Sequence, residues 1–137
     1  MTAVSQDLDT LARTLFGEAR GEPLEGVYAV AWVIRNRVKR GGRFGLTVSE
    51  VCKRPLQFSC WNSHDPNFGQ LLAANIEQLA FLRCHGAAAL VLADAIPDPT
   101  EGADHYYAVS MATSPSWAAA MLPTVRISRH QFLRERV

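Results

Sequence analysis

Apolar residues recur at helical spacing in three parts of the chain. Leu8, Leu11, Ala12 and Leu15 share one face behind Ser5, a good N-cap, which predicts a first helix fading near Gly17. Pro23 suits the first turn of a second helix, whose stripe is Val27, Val30, Ala31, Ile34 and Val38. Its polar face carries Arg35, Asn36 and Arg37, and Gly41-Gly42 ends it. Thr47 with Glu50 reads as a capping box on a short helix that Pro55 stops. A long helical region is expected from about Leu71 to Ala95, with Ile76, Leu79, Ala80, Ala87, Leu90 and Val91 inward, Gly86 as a break or kink, and Pro97-Asp98-Pro99 as its end.

Between and after these helices the period is lost. Leu56 to Asn62 mixes aromatic and polar residues and reads as a loop or short strands, followed by the turn signal Asp65-Pro66-Asn67. Asp104 to Val109 reads as extended, Ser116 to Met121 as one or two helical turns, and Thr124 to Ser128 as a short strand. The fold class expected is α+β, mainly α: one domain spanning residues 1–137, built on two or three central helices with short extended segments.

Composition narrows the function classes. Fourteen basic residues against thirteen acidic ones leave a formal charge of +1, without the basic excess usual in nucleic-acid binders. Apolar runs such as Ala87 to Ala93 fall far short of the roughly 20 residues a membrane span needs. No charged start followed by an apolar run marks a signal peptide. Cys52, Cys60 and Cys84 read as small buried thiols of a reducing cytosol, with a Cys52–Cys60 bridge left open. His64, His85, His105 and His130 lack any metal-ligand spacing, and neither a GxSxG elbow nor a phosphate-binding GK[ST] occurs. No metal or cofactor is expected.

Two segments carry candidate chemistry. In Glu18-Ala19-Arg20-Gly21-Glu22 one carboxylate follows an apolar helix, where burial raises a carboxyl pKa toward that of a general acid, and the other precedes Pro23, where the helix dipole favours the ionised form. The plainer alternative is that Glu22 caps the helix while Glu18 pairs with Arg20. The second candidate is the set Gln57, Phe58, Ser59, Trp61 and Asn62 with His105, Tyr106, Tyr107 and Trp117. Aromatic rings for sugar faces and amides or hydroxyls for sugar hydroxyls make a carbohydrate cleft; packing under loops is the alternative.

These segments together resemble the spore cortex-lytic and cell wall hydrolases of the SleB/CwlJ type. The resemblance runs through Leu11-Ala12-Arg13, Gly17 to Pro23 (GEARGEP), Gly26, Ala29-Val30-Ala31, Asn36-Arg37-Val38, Thr47-Val48 with Glu50-Val51, and Gln57-Phe58-Ser59. It continues through Asp98-Pro99-Thr100, Gly102-Ala103, His105-Tyr106-Tyr107, Pro115, Trp117-Ala118, Ile127, His130 and Phe132. The resemblance implies a lysozyme-like fold that cleaves the β-1,4 bond between N-acetylmuramic acid and N-acetylglucosamine in peptidoglycan glycan strands. Glu18 maps onto the acid, Glu22 and Arg20 onto supporting positions. A lytic transglycosylase forming a 1,6-anhydro product is favoured over a simple muramidase; a zinc amidase or endopeptidase and a non-catalytic glycan-binding module are the rivals. Gln57, Phe58, Ser59, Trp61, His105, Tyr106 and Tyr107 are the expected glycan contacts. A short catalytic domain of this kind, expected to be monomeric, looks like a phage or prophage endolysin, made in the cytoplasm and released to the wall by a holin-type or other route.

Overall fold

The computed structural model describes residues 2–55 and 57–136; Leu56, at the start of the expected aromatic loop, lies outside them. Among the described residues, five α-helices are followed by a small sheet: α1 (Ala3–Ala19), α2 (Leu24–Val38), α3 (Val48–Lys53), α4 (Phe68–Ala73), α5 (Leu79–Leu92), then β1 (His105–Ala108), β2 (Leu122–Ile127) and β3 (His130–Arg134). Single 3-10 turns occupy Ser59–Trp61 and Ser116–Ala120.

Helix α2 is the centre. One face packs Val27, Val30, Ala31 and Ile34 against α1 and α5, while Ala29 and Val33 meet Ala103, Ile127 and Phe132 on the sheet. A helix buried on both sides is apolar nearly all round, and the sheet-facing pair explains why the single predicted stripe is incomplete. Asn36 and Arg37, expected on its polar face, are both buried. Asn36 donates to Asp98 (2.9 Å) and to the Ala103 carbonyl (2.9 Å), and Arg37 Nε donates to the Asp104 carbonyl (2.8 Å). These bonds tie the end of α2 to the entrance of β1. Asp98 also accepts from Thr100 and Gly102, closing the turn there.

Helix α1 starts earlier than expected, because Thr2 rather than Ser5 supplies the N-cap oxygen, and it runs through Gly17 to Ala19. Gly17 is there for space: a Cβ would stand 2.6 Å from Cys60 Cβ and 2.8 Å from its Sγ. Gly17→Ala should therefore cost about 1–3 kcal/mol by overpacking, read as a lower urea midpoint at unchanged m.

The expected long helix from Leu71 is two helices. Asn75 accepts from the Glu77 N–H and its own N–H donates to the Gln78 side chain, forming a turn between α4 and α5. Ile76 and Leu79 consequently face solvent, whereas Gly86 leaves α5 unbroken. The sheet is antiparallel in the order β1-β3-β2, with Tyr106 opposite Phe132 and Ile127 opposite His130. Strand β3 was not foreseen from sequence. All three thiols are free and buried, so the bridge between Cys52 and Cys60 is absent.

Candidate active site

Glu18 stands in the last turn of α1, where the packing of Phe16, Leu15 and Ala19 into the core leaves the carboxyl at the rim of a cleft. The cleft has a volume of about 470 Å³ and is lined by Glu18, Arg37, Gln57, Phe58, Ser59, His105, Tyr106 and Trp117. Helix α1, the end of α2, the loop before the Ser59 turn, strand β1 and the Ser116–Ala120 turn each supply a wall. Burial holds the Glu18 carboxyl above the ordinary glutamate value, Asp65 adds to the rise, and hydrogen bonding from Cys60 and the charge of Arg37 only partly oppose it. A carboxyl that stays protonated closer to neutrality, at an open cleft, is equipped to give up a proton to a leaving oxygen.

Arg37 organises the floor. Its guanidinium reaches Gln57 Oε1 through Nη1 at 3.1 Å and lies 5.2 Å from the ring centroids of both Phe44 and Phe58. Gln57 is thereby fixed as an amide facing the cleft. His105 donates from Nδ1 to Asp104 at 2.8 Å and packs at 5.2 Å against Trp117 and 5.8 Å against Phe44. Asp104 is fully buried and also accepts from Arg40 Nε at 2.9 Å. Burial alone would raise its pKa, but the His105 hydrogen bond and Arg40 outweigh it and keep the carboxyl below the usual aspartate range. Burial pushes the Tyr106 phenol well above its ordinary value.

A second depression of about 210 Å³ lies on the other side of Glu18, lined also by Gly21, Glu22, Ala108, Ser110, Arg129 and His130. Glu22 is buried and ion-paired with Arg129. It does not cap α2, whose N-cap is Pro23.

Glu18, Gln57, Phe58, Ser59, His105 and Tyr106 thus line one cleft, together with Trp117. Two expected contacts, Trp61 and Tyr107, and the expected supporting residue Arg20 lie outside this lining. Trp61 packs against the helical core, donates to Thr14 Oγ1 at 2.9 Å and lies under Lys53. Tyr107 lines a separate hollow with Ser114, Pro115 and Gln131, meeting the edge of the cleft's Trp117 at 6.2 Å. Arg20 pairs with neither acid: it donates to the Phe16 carbonyl (2.8 Å) and to Asn67 Oδ1 (2.7 Å), pinning the end of α1 to the turn before α4. Among the described residues, no three His, Cys, Asp or Glu side chains gather as metal ligands. Arg37 was missed as a site residue, although it follows Val30 and Ile34 at seven and three residues and so continues the buried stripe.

Residues 21–133 match the family described as Cell Wall Hydrolase, a match that begins three residues after Glu18. The spore cortex-lytic enzyme of Bacillus subtilis (strain 168) is 34% identical over 130 residues, covering 93% of this chain and 37% of that protein. The spore cortex-lytic enzyme of Oceanobacillus iheyensis is 33% identical, covering 93% of this chain and 41% of that protein. The chain therefore spans about two fifths of the length of these curated relatives. Among solved structures, the catalytic domain of the germination-specific lytic transglycosylase SleB from Bacillus anthracis superposes with a TM-score of 0.72 at 32% identity, covering 93% of each chain. The Bacillus cereus SleB catalytic domain gives 0.70 at 29% identity, covering 95% of this chain and 91% of that one.

Proposed function

The chain belongs to the cell wall hydrolase family, and from that membership and the cleft at Glu18 we propose that it is a lytic transglycosylase domain using Glu18 alone as acid and base. Its substrate is the β-1,4 bond between N-acetylmuramic acid and N-acetylglucosamine of peptidoglycan. The carrying observation is that Glu18 is the only carboxyl among the described lining residues of the larger cleft, and burial raises its pKa above the ordinary glutamate value. Of the nearby carboxylates, Glu22 is paired with Arg129 and Asp104 with Arg40 and His105, while Asp65, whose charge reaches Glu18, lines neither depression. Glycosidases with two working carboxyl groups need a second one in the cleft to attack or to activate water, and the larger cleft's described lining offers none besides Glu18.

In this mechanism Glu18 protonates the glycosidic oxygen as the bond to the muramyl anomeric carbon breaks. The resulting carboxylate then takes the proton of the muramyl 6-hydroxyl as that oxygen attacks the same carbon. The proton count closes, no water enters, and the product is a 1,6-anhydro sugar. Arg37, through Gln57, and His105 beside Trp117 hold the sugars in register, a positioning effect that acts on rate as well as affinity.

Digestion of purified peptidoglycan should yield muropeptides lighter than hydrolytic products by one water. Mass spectra showing reducing ends throughout would reject the transglycosylase assignment. Access to the wall by a holin-type or other route belongs to the same proposal; expression inside a bacterium should lyse cells only when the inner membrane is opened.

A further inference from the structure

His130 opens β3 and lines the smaller depression beside Glu18. Its Nδ1 lies 3.1 Å from Glu22 Oε1. Both atoms are buried and close, yet neither makes an aligned hydrogen bond, to each other or to any other described group. Glu22 Oε2 is occupied by Arg129, so the buried carboxylate has one oxygen left, and His130 Nδ1 is the donor within reach. A small turn of the ring that aims Nδ1–H at that oxygen would satisfy both orphaned atoms at once, which favours the Nδ1–H tautomer on energetic grounds. Nε2 then carries the lone pair. It is not among the buried unpaired atoms and has no hydrogen bond among the described residues, so it is the accessible ring nitrogen at the depression. The ring is held edge-on against Tyr106 at 5.0 Å and against Phe132 at 6.2 Å.

We propose that His130, locked by Glu22 in the Nδ1–H tautomer, accepts a hydrogen bond through Nε2 from a hydroxyl or N-acetyl N–H of the sugar seated next to Glu18. The chain Arg129–Glu22–His130 is thus a substrate-binding device, which gives the buried second glutamate of the GEARGE segment its purpose. It rests on the reading of Glu18 above, because the depression matters only if the glycan crosses that carboxyl.

The groups facing the imidazole are Glu22 from the connection between α1 and α2, Arg129 from the turn between β2 and β3, Tyr106 from β1 and, across the depression, Glu18 from α1. Burial lowers the His130 pKa below its ordinary value, Arg129 lowers it further and Glu22 opposes both. The ring is therefore neutral at pH 7. As pH falls through that lowered value, Nε2 gains a proton and turns from acceptor to donor, so binding should fail on the acid side.

Three measurements on the whole chain test this. Long-range proton–nitrogen NMR of the wild type should show the His130 ring protonated on Nδ1, with its Nε2 resonance moving when peptidoglycan oligosaccharides are added to Glu18→Gln. His130→Ala should lose about tenfold in kcat/KM at pH 7, the equivalent of one hydrogen bond, together with the acid limb of its pH profile. His130→Gln, which restores an acceptor, should recover most of the rate without restoring the acid limb. An Nε2–H tautomer, or a His130→Ala profile retaining the wild-type acid limb within twofold in rate, would overturn the proposal. The NMR arm needs no variant of His130 to fold. If Glu18→Gln is inert while His130→Ala behaves as wild type, only this inference fails; an active Glu18→Gln removes the reading beneath it.

Discussion

Glu18→Gln should abolish glycan cleavage while making the protein more stable at neutral pH. The amide keeps the size of the carboxyl and the contact with Cys60 but has no proton to give, and a general acid contributes about 10²–10⁴-fold to rate. Turbidity clearing of a cell-wall suspension should fall by at least that factor, with far-UV circular dichroism unchanged. The stability gain follows from the same burial. Because the folded-state pKa is raised, Glu18 supports folding fully below the ordinary carboxyl value, and that support is lost as pH rises through the raised one. The variant carries no such loss, so its advantage should be present at pH 7 and vanish below about pH 4, near the unperturbed glutamate value. A wild-type rate that falls on the alkaline side should report the same group. Retained lytic activity would rule Glu18 out, and a variant no more stable than wild type at pH 7 would show that the carboxyl is not strained by burial. A site residue whose ionised form destabilises its own fold is the expected exchange of stability for activity.

The helices were legible where one face decides them. Leu11, Leu15, Val27 and Ile34 advertise the core, and GEARGEP places Glu18 at the join of two helices. What escaped the sequence escaped for identifiable reasons. Strand β3 follows a two-residue turn, Ser128-Arg129, in which Ser128 adopts φ 52°; without Asn-Gly or Asp-Gly the usual hairpin signal is missing. The break between α4 and α5 rests on side-chain bonds of Asn75 that compete with the helix ladder, and a periodic apolar pattern cannot reveal that competition. Arg37 was read as polar surface because charged residues rarely sit inside, although one is tolerated where carbonyls and aromatic rings receive it.

The heaviest structural penalty should come from Asp104→Ala. The side chain is fully buried, and its two oxygens take Arg40 at 2.7 Å through Nη2, His105 Nδ1 at 2.8 Å and the Glu135 N–H at 3.1 Å. It therefore joins the end of α2, the start of β1 and the residue after β3 at one point. Removing one partner of a buried ion pair typically costs about 3–5 kcal/mol. Arg40 is 25% exposed and can regain some water, which places the expected loss near the bottom of that range, about 3 kcal/mol. Urea unfolding at pH 7 should show it as a lower midpoint. The pH dependence has the opposite sign to that of Glu18. Asp104 titrates below the ordinary aspartate value, so its contribution is present above that value and lost as pH falls through the lowered one. The gap between wild type and variant should close in strong acid. Activity should fall as well, because His105 loses the acceptor that holds its ring between Phe44 and Trp117. Asp104→Asn separates the two effects: it still accepts the His105 proton but cannot neutralise Arg40. Activity that follows the hydrogen bond while stability follows the charge would show that one buried carboxylate serves both the sheet and the cleft. An Asp104→Ala protein as stable as wild type would refute the junction.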